Sequence, residues 1–322
     1  MKGIFKNTLI LCLLLMALEA RAQNPSRYNQ YLFNQSFVNP AYAGYRQGIG
    51  GDAYFRRQWM GLDGSPTTMG LAVDGAIPAA SLGIGFQGFS DKIGVQSTTG
   101  AQLNLSYQLR LGDYRFLSFG VGGGFLQNTF DVGELDPGNV EDPILGVGLD
   151  NSIQPDINVG MFYFSQYNYL GLSVSHALAT VLKPDESSFA QDLTPQMNLT
   201  GGILLDVGET LSFVPSFFYR DDFENFASVD VNGIFAYMDV FWLGAGYRTS
   251  LKLPWNNDQQ VQQDFSSLIG QIKFYFLDQI RVGYVFDYGL KGSNQRNFSS
   301  HEVSVGFILP NRSIRDDMLR LF

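Results

Sequence analysis

Apolar and polar residues alternate along many strand-length stretches of this chain. In residues 102–111, leucines and one tyrosine occupy the odd positions, while Gln, Asn, Ser and Arg occupy the even positions. Residues 280–288 show the same pattern, with Arg281, Gly283 and Asp287 among apolar side chains. Successive side chains of a strand point to opposite faces, so each stretch has one apolar and one polar face. Both a transmembrane β-barrel and a soluble β-sandwich have this period.

The connections between the stretches favour the barrel. The pattern predicts about fourteen strands, near residues 46–58, 65–77, 81–90, 98–111, 115–127, 154–165, 168–177, 195–206, 210–220, 225–237, 240–250, 266–276, 279–288 and 299–309. Short connections alternate with mostly longer ones, of which the longest are 130–153, 178–194 and 251–265. Outer-membrane barrels have short periplasmic turns and long external loops. We therefore predict an all-β fold, a transmembrane antiparallel β-barrel with both termini in the periplasm.

The N-terminus has the features of an export signal. Lys2 and Lys6 precede an apolar run at residues 9–18, and a small-residue cleavage site follows before Gln23. The run is too short for a transmembrane anchor, which needs about 20 apolar residues. We predict a signal peptide at residues 1–22 and a mature protein in the outer membrane. Cys12 is the only cysteine and lies within the signal, so the mature barrel must be stable without disulfides.

Composition agrees with a barrel and excludes one class of partner. The mean hydropathy is −0.02, and no later segment is continuously apolar over the length of a spanning helix. The 36 Gly, 27 Phe and 16 Tyr suit crowded lumen walls and aromatic girdles at the lipid interfaces. The net charge of −9 disfavours nucleic acid, whose phosphates would be repelled.

The segments that flank the barrel are a second point of interest. We predict a barrel at 46–310, preceded by an aromatic plug or rim segment at 23–45 and followed by a periplasmic tail at 311–322. Pro40 excludes a central strand, so the aromatic residues of 28–45 need another place to be buried. If they fill the lumen, conduction is low. If they do not, a fourteen-strand barrel is wide enough for a plain diffusion porin or solute channel, which is the alternative function.

Motifs for catalysis and cofactors are weak. Residues 83–88 fit the dinucleotide pattern GxGxxG, but they lie within a predicted strand without a following helix. We therefore interpret these glycines as making room in the lumen or letting the strand bend, and we predict no cofactor. His176 and His301 each follow a serine, which raises the possibility of a surface hydrolase. Strand neighbours point to opposite faces, and both histidines share the parity of the lipid-facing residues. An acidic loop begins at Asp131, but its acids lack the EF-hand spacing, so we predict no metal site there. The acidic residues of this loop are Asp131, Glu134, Asp136, Glu141 and Asp142.

Two longer motifs and their order along the chain resemble a known family. These are NQYLFNQSFVNPAYAG at 29–44 and RRQWMGLDGSPTT at 56–68, followed by shorter matches as far as SHEVSV at 300–305. The chain resembles the PorP/SprF family of outer-membrane proteins associated with the type IX secretion system of Bacteroidota. The polar pair at 35–36 departs from the apolar pair expected there. The matching motif residues are Asn39, Pro40, Ala41, Tyr42, Ala43, Gly44, Arg57, Gln58, Trp59 and Gly61.

The resemblance implies a binding role and no enzymatic activity. A barrel of this family is expected to help deliver or anchor large secreted surface proteins, such as adhesins and gliding-related cargo, through their C-terminal signal domains. Its expected partners are this cargo, outer-membrane lipid and periplasmic components of the secretion system.

Strand parity also brings four charged residues to one place. All four fall on the predicted inward face, near the outer ends of strands nine, eleven, thirteen and fourteen: Arg220, Arg248, Asp287 and Glu302. Buried charges need partners, so the cluster is either a set of salt bridges that brace the barrel or the floor of a receptacle for cargo or for the protein's own loops. The sequence leaves both readings open.

Overall fold

The computed structural model describes residues 35–131, 149–179, 181, 193–225, 227–255, 265–276, 279–291 and 298–309. The predicted signal peptide, the tail at 311–322 and most of the acidic loop lie outside these residues. Within them, two short helical turns, Pro40–Tyr42 and Pro78–Ala80, accompany a set of β-strands. No helix in this part of the chain is long and apolar enough to cross a membrane.

The strands follow one another in a simple up-and-down order. They are β1 (Ile49–Arg57), β2 (Thr67–Ile77), β3 (Leu82–Ile93), β4 (Gln96–Gly112), β5 (Arg115–Asp131), β6 (Leu149–Ser165), β7 (Asn168–Ser175), β8 (Gln196–Ile203), β9 (Leu211–Asp221), β10 (Ala227–Tyr237), β11 (Phe241–Leu251), β12 (Ser266–Phe276), β13 (Ile280–Lys291) and β14 (Ser299–Leu309). A short run, Leu205–Asp206, continues β8 past Leu204 and pairs with the same neighbour, β9.

Closure of the sheet completes the fold. Each strand pairs antiparallel with the next, and β14 pairs with β1 from Ile49↔Leu309 to Arg57↔His301. The result is the closed 14-strand antiparallel barrel that the alternation predicts, so the predicted fold class is confirmed. Closure satisfies the backbone groups that lipid cannot satisfy, which is the condition for spanning a membrane with strands.

The two faces of the wall differ in chemistry as predicted. On β4, Leu103 and Leu105 are 64% and 47% exposed, whereas Gln102 and Asn104 are 7% and 4% exposed. β13 repeats the pattern, with Ile280 outside and Arg281 inside. The outer face is therefore apolar and the lumen polar, as a barrel in lipid requires.

The two ends of the barrel also differ. We call the end with the connections at 78–81, 113–114, 166–167 and 238–240 the turn end, and the opposite end the loop end. Ile49 pairs with Leu309 at the turn end, so the barrel begins and finishes there. The assignment of the turn end to the periplasm remains a prediction.

Two strands are longer than the alternation indicates. Prediction gave 115–127 and 154–165 for the fifth and sixth strands, but β5 and β6 stay paired as far as Asp131↔Leu149. Residues such as Gln127, Asn128 and Asn151 carry no apolar alternation, and they become strand because the neighbouring strand offers a continuous ladder of backbone hydrogen bonds.

A charge on the apolar face tests the membrane placement. Leu105 lies near the middle of β4 and Leu111 beside its turn end. We expect Leu105→Arg to destabilise the folded barrel by about 2–4 kcal/mol, because the guanidinium meets hydrocarbon, and Leu111→Arg by about 1 kcal/mol or less. The measurement is urea unfolding in lipid vesicles, followed by the heat-modifiable shift on gels. Equal losses from both substitutions would contradict this placement of the membrane.

Candidate functional site

The end of the N-terminal segment lies inside the barrel. We call residues 35–47 the plug. Asn39, Ala41 and Tyr42 are at most 2% exposed. Asn39 caps the helical turn by accepting a hydrogen bond from the N–H of Ala41 at 2.9 Å. Its Nδ2 also donates to the carbonyl oxygens of Met161 at 3.0 Å and Leu172 at 3.3 Å, which fixes the plug to β6 and β7.

Four small residues of the wall form the seat of the plug. Gly83, Ser106, Gly120 and Gly160 are direct cross-strand neighbours on β3, β4, β5 and β6, and we call them the small-residue row. A Cβ on Gly83 would overlap the carbonyl of Ala43, and one on Gly120 would overlap the backbone of Ala41. Ser106 donates to the carbonyl of Ala43 at 2.7 Å. Gly83 thus has the space-making role predicted for it.

Aromatic side chains occupy much of the turn half of the lumen. The rings of Tyr42 and Tyr45 stack at 4.8 Å, and Tyr45 meets Phe164 edge to face at 4.9 Å. The same buried cluster extends to Ile234, Trp242 and Tyr275 on the far wall. A continuous apolar core therefore spans the lumen from β6 to β12.

The polar pair at 35–36, which departs from the family pattern, is also buried. Gln35 is 2% exposed, and its Oε1 accepts from the Oγ1 of Thr200 at 2.9 Å. Ser173 donates to the carbonyl of Val38 at 2.7 Å. A polar Gln35 suits this position because the lumen wall of β7 and β8 supplies hydrogen-bond partners.

An ionic network at the turn end holds the last part of the plug. Arg46 is 2.6 Å from Asp52 of β1 and 3.5 Å from Asp74 of β2, and Arg281 of β13 pairs with the same Asp52. The N–H of Gly44 donates to Asp74 at 2.9 Å. This turn-end network escaped the sequence analysis, although the inward parity of Asp52, Asp74 and Arg281 was a signal for it.

A second ionic network lies in the loop half and contains three of the four predicted cluster residues. Arg248 contacts Asp230 at 2.7 and 2.5 Å and Asp287 at 3.1 Å. Arg56 lies 3.9 Å from both Asp287 and Glu302. We call Arg56, Asp230, Arg248, Asp287 and Glu302 the loop-half network; its two arginines and three acids sum to −1.

Arg220, the fourth predicted residue, is not among the residues of this network, and Arg56 and Asp230 belong to it without having been predicted. Arg220 lies on β9 with its guanidinium carbon 5.0 Å from the centre of the Phe218 ring. Asp230 faces Arg248 across the β10–β11 ladder, and Arg56 faces Glu302 across the β1–β14 ladder. Only the register reveals these two residues as partners.

Amide side chains line the other wall of the loop half. Gln87 donates to Gln102 at 2.6 Å, and Asn158 donates to the same oxygen at 2.8 Å. These three side chains join β3, β4 and β6, and the side chain of Gln102 lies over Gly122 of β5, where a Cβ would overlap it. The lumen is thus filled at the turn end by the plug, the aromatic core and the turn-end network, while charged and amide side chains line the loop half.

The comparison with protein families settles the family. A family model described as type IX secretion system membrane protein PorP/SprF matches residues 20–307. The chain belongs to the PorP/SprF family. It is an outer-membrane β-barrel of type IX secretion, as the sequence resemblance indicated. A search of curated proteins finds no match to the chain.

Solved structures with a similar fold are distant in sequence. A monoaromatic hydrocarbon channel, the TodX deltaS2S3 mutant, has 11% identity and a TM-score of 0.53, with 89% of this chain and 95% of that chain covered. The CymD monoaromatic hydrocarbon channel has 12% identity and a TM-score of 0.52, with 91% and 95% covered. At such low identity the likeness concerns the barrel fold alone.

The PorP/SprF motif residues divide between two places. Asn39 to Gly44 belong to the plug. Arg57 is the last residue of β1, and Gln58, Trp59 and Gly61 follow it in the loop-end connection to β2. The side chain of Trp59 is 46% exposed, and its backbone N–H donates to the Oγ of Ser300 at 3.4 Å. The N–H of Gln58 donates to the carbonyl of Pro66 at 2.9 Å, which closes this loop.

The histidines make contacts other than with the preceding serines. The Nδ1 of His176 is 2.9 Å from Asp156, and the Nδ1 of His301 is 2.7 Å from the hydroxyl of Tyr284. The expected lipid-facing direction of His176 is wrong. β7 ends at Ser175, and the positive φ of 56° at His176 turns its ring toward the lumen wall. Among the described residues, no three His, Cys, Asp or Glu side chains converge as a metal site.

Substitutions on β5 test the seat of the plug. We expect Gly120→Ala to displace the plug, since its Cβ would overlap the backbone of Ala41, and to lower the free energy of unfolding by about 1–3 kcal/mol. Displacement of the plug should also raise the single-channel conductance in planar bilayers. Gly123→Ala is the matched control, because nothing lies within 4 Å of its added Cβ. A Gly120→Ala protein that behaves like the control would show that the plug is not held by this contact.

Proposed function

We propose that this PorP/SprF barrel binds the C-terminal domain of secreted type IX cargo at its loop end and helps to deliver or anchor that cargo at the cell surface. The observation that carries the proposal is the division of the lumen. The turn half is filled by the plug, the aromatic core and the paired charges of the turn-end network, whereas charged and amide side chains line the loop half. A barrel closed at one end and polar at the other is suited to holding a partner.

The orientation follows from the same proposal. The turn end would face the periplasm, where components of the secretion system could contact it, and the loop end would face outward, where cargo arrives. The apolar outer face contacts outer-membrane lipid. Because the loop-half network sums to −1, cargo that enters the loop half should present neutral or basic side chains to it.

The proposed role is binding, and catalysis is not part of it. A secretion-associated outer-membrane barrel is not an enzymatic type of protein, and the two histidines contact an aspartate and a tyrosine, not a serine nucleophile.

A solute channel is the second candidate. The likeness in fold to hydrocarbon channels favours it. The core that fills the turn half weighs against it, because Tyr42 and Phe162 are each 1% exposed and leave little room for a solute. A large conductance in the intact protein would favour this second candidate.

Loss of the protein tests the cargo role in cells. We expect a deletion strain to lose one or a few large type IX proteins from its surface, while general secretion is intact, because the barrel serves particular cargo. Surface proteomics by mass spectrometry, with complementation as the control, is the measurement. An unchanged surface proteome and undiminished adhesion would contradict the proposed function.

The loop-half network offers a test within the molecule. Arg248 and Asp230 form a buried pair, so Arg248→Asp alone should lower barrel stability by about 3–5 kcal/mol, measured by urea unfolding. The swap Arg248→Asp with Asp230→Arg retains this pair but removes the contact of Arg248 with Asp287, so it should recover part of that stability. If the network contacts cargo, the swapped protein should still capture less cargo C-terminal domain than the native protein. Full recovery of both properties would make the network a structural brace only.

A further inference from the structure

In the described part of the chain, the loop-end rim has an abrupt step between β6 and β7. β6 remains paired with β5 as far as Leu149, but its pairing with β7 extends only from Phe164 to Val159. One further backbone bond follows, from the N–H of Ala177 to the carbonyl of Ile157 at 2.8 Å. Beyond this bond, β6 continues toward the loop end without β7 beside it. We call residues 151–155 the β6 edge.

Side chains of β6 itself end β7 at this point. His176 adopts a φ of 56°, which no strand continues through. Its N–H donates to the Oδ1 of Asn158 at 2.8 Å, and its ring contacts Asp156 at 2.9 Å. The chain then turns, with the N–H of Ala179 donating to the carbonyl of His176 at 3.0 Å. The step is therefore fixed by specific contacts.

The backbone direction along the β6 edge can be derived from the last bond. The carbonyl of Ile157 points away from β5, toward the side of β7. Backbone groups of a strand alternate in direction with period two, so Asn151, Ile153 and Pro155 point the same way. Among the described residues, these three have no hydrogen-bond partner on that side. Proline has no N–H, so the edge offers the N–H groups of Asn151 and Ile153 and all three carbonyls.

The side chains of the β6 edge are also incompletely satisfied. On the inner face, the Oγ of Ser152 and the Nε2 of Gln154 are buried and have no hydrogen-bond partner among the described residues. On the outer face, Ile153 is 67% exposed. An added strand with polar side chains inside and an apolar side chain outside would match both faces.

We propose that the β6 edge binds an extended segment of the cargo C-terminal domain by β-strand addition. This inference rests on the proposed function and deepens it by naming the contact. Unpaired edges invite pairing, and peptides commonly bind to sheets in this way. Pro155 interrupts the row of donors and so limits the length of segment that can pair.

A second copy of this chain fits the edge less well. All copies in one membrane share an orientation, so two β6 edges would meet in parallel. Parallel pairing is slightly less stable per residue than antiparallel pairing. A segment of another protein is free to approach in the antiparallel direction, which matches the rest of the barrel.

Proline substitutions test the proposal directly. The probe is the isolated C-terminal domain of the surface protein lost from the deletion strain, and binding is measured with the full-length barrel in detergent. Ile153→Pro removes an N–H that β5 does not use, so the barrel should keep its heat-modifiable migration while probe affinity falls about tenfold or more. Ile153→Ala is the matched control, which keeps the N–H and should bind within about threefold of the native protein.

A cysteine at Asn151 gives an independent readout if the proline variant fails to fold. The one cysteine of the chain, Cys12, lies in the predicted signal peptide, so Asn151→Cys can be crosslinked to single cysteines along the probe. Crosslinks at every second probe residue support strand addition. Crosslinks only between two copies of the barrel, or none to the probe, overturn it.

The outcomes separate the two levels of the proposal. If the native barrel captures the probe and Ile153→Pro captures it equally well, the edge inference is wrong and the proposed function stands. If the native barrel captures no probe, both are wrong.

Discussion

The close approach of the plug backbone to the small-residue row is the contact on which the rest of the lumen depends. Gly83, Gly120 and Gly160 have no Cβ, so the backbone of Asn39 to Ala43 can lie against the wall. That position brings Tyr42 and Tyr45 to Phe162 and Phe164, from which the apolar core continues to the far wall. The plug can close the turn half because glycine occupies these wall positions.

Charge is arranged at two depths with two different effects. The turn-end network pairs Arg46 and Arg281 with Asp52 and Asp74, so its formal charges cancel, and it ties the plug to three strands. The loop-half network contains no plug residue and carries one more acid than base. Buried charges are tolerated only with partners, so the first network favours a fixed plug. The second network is a buried group of paired charges in a part of the lumen that the plug does not occupy.

The β6 edge is a place where the described ladder departs from full closure. A barrel normally removes strand edges, and natural edges are protected by proline, charge or covering segments. Here His176 ends β7 through contacts with Asp156 and Asn158, while β5 and β6 continue as a pair. Within the described residues, β6 thus closes the barrel near the turn end, where β7 pairs with it, and presents free backbone groups near the loop end.

The sequence by itself determined the fold class, the faces of the strands and their approximate number, because a period of two records which side of the wall is apolar. It also carried the PorP/SprF motifs. Only the tertiary structure decided the register of the strands. The register brings together the small-residue row, whose members span residues 83 to 160, and it pairs Arg56 and Asp230 with the predicted cluster. Parity assigns a residue to a face, but its neighbours on that face depend on how adjacent strands slide past each other, which no local pattern records. The direction of His176 depended on a single positive φ beyond a strand end, and the extra length of β5 and β6 depended on their pairing with each other.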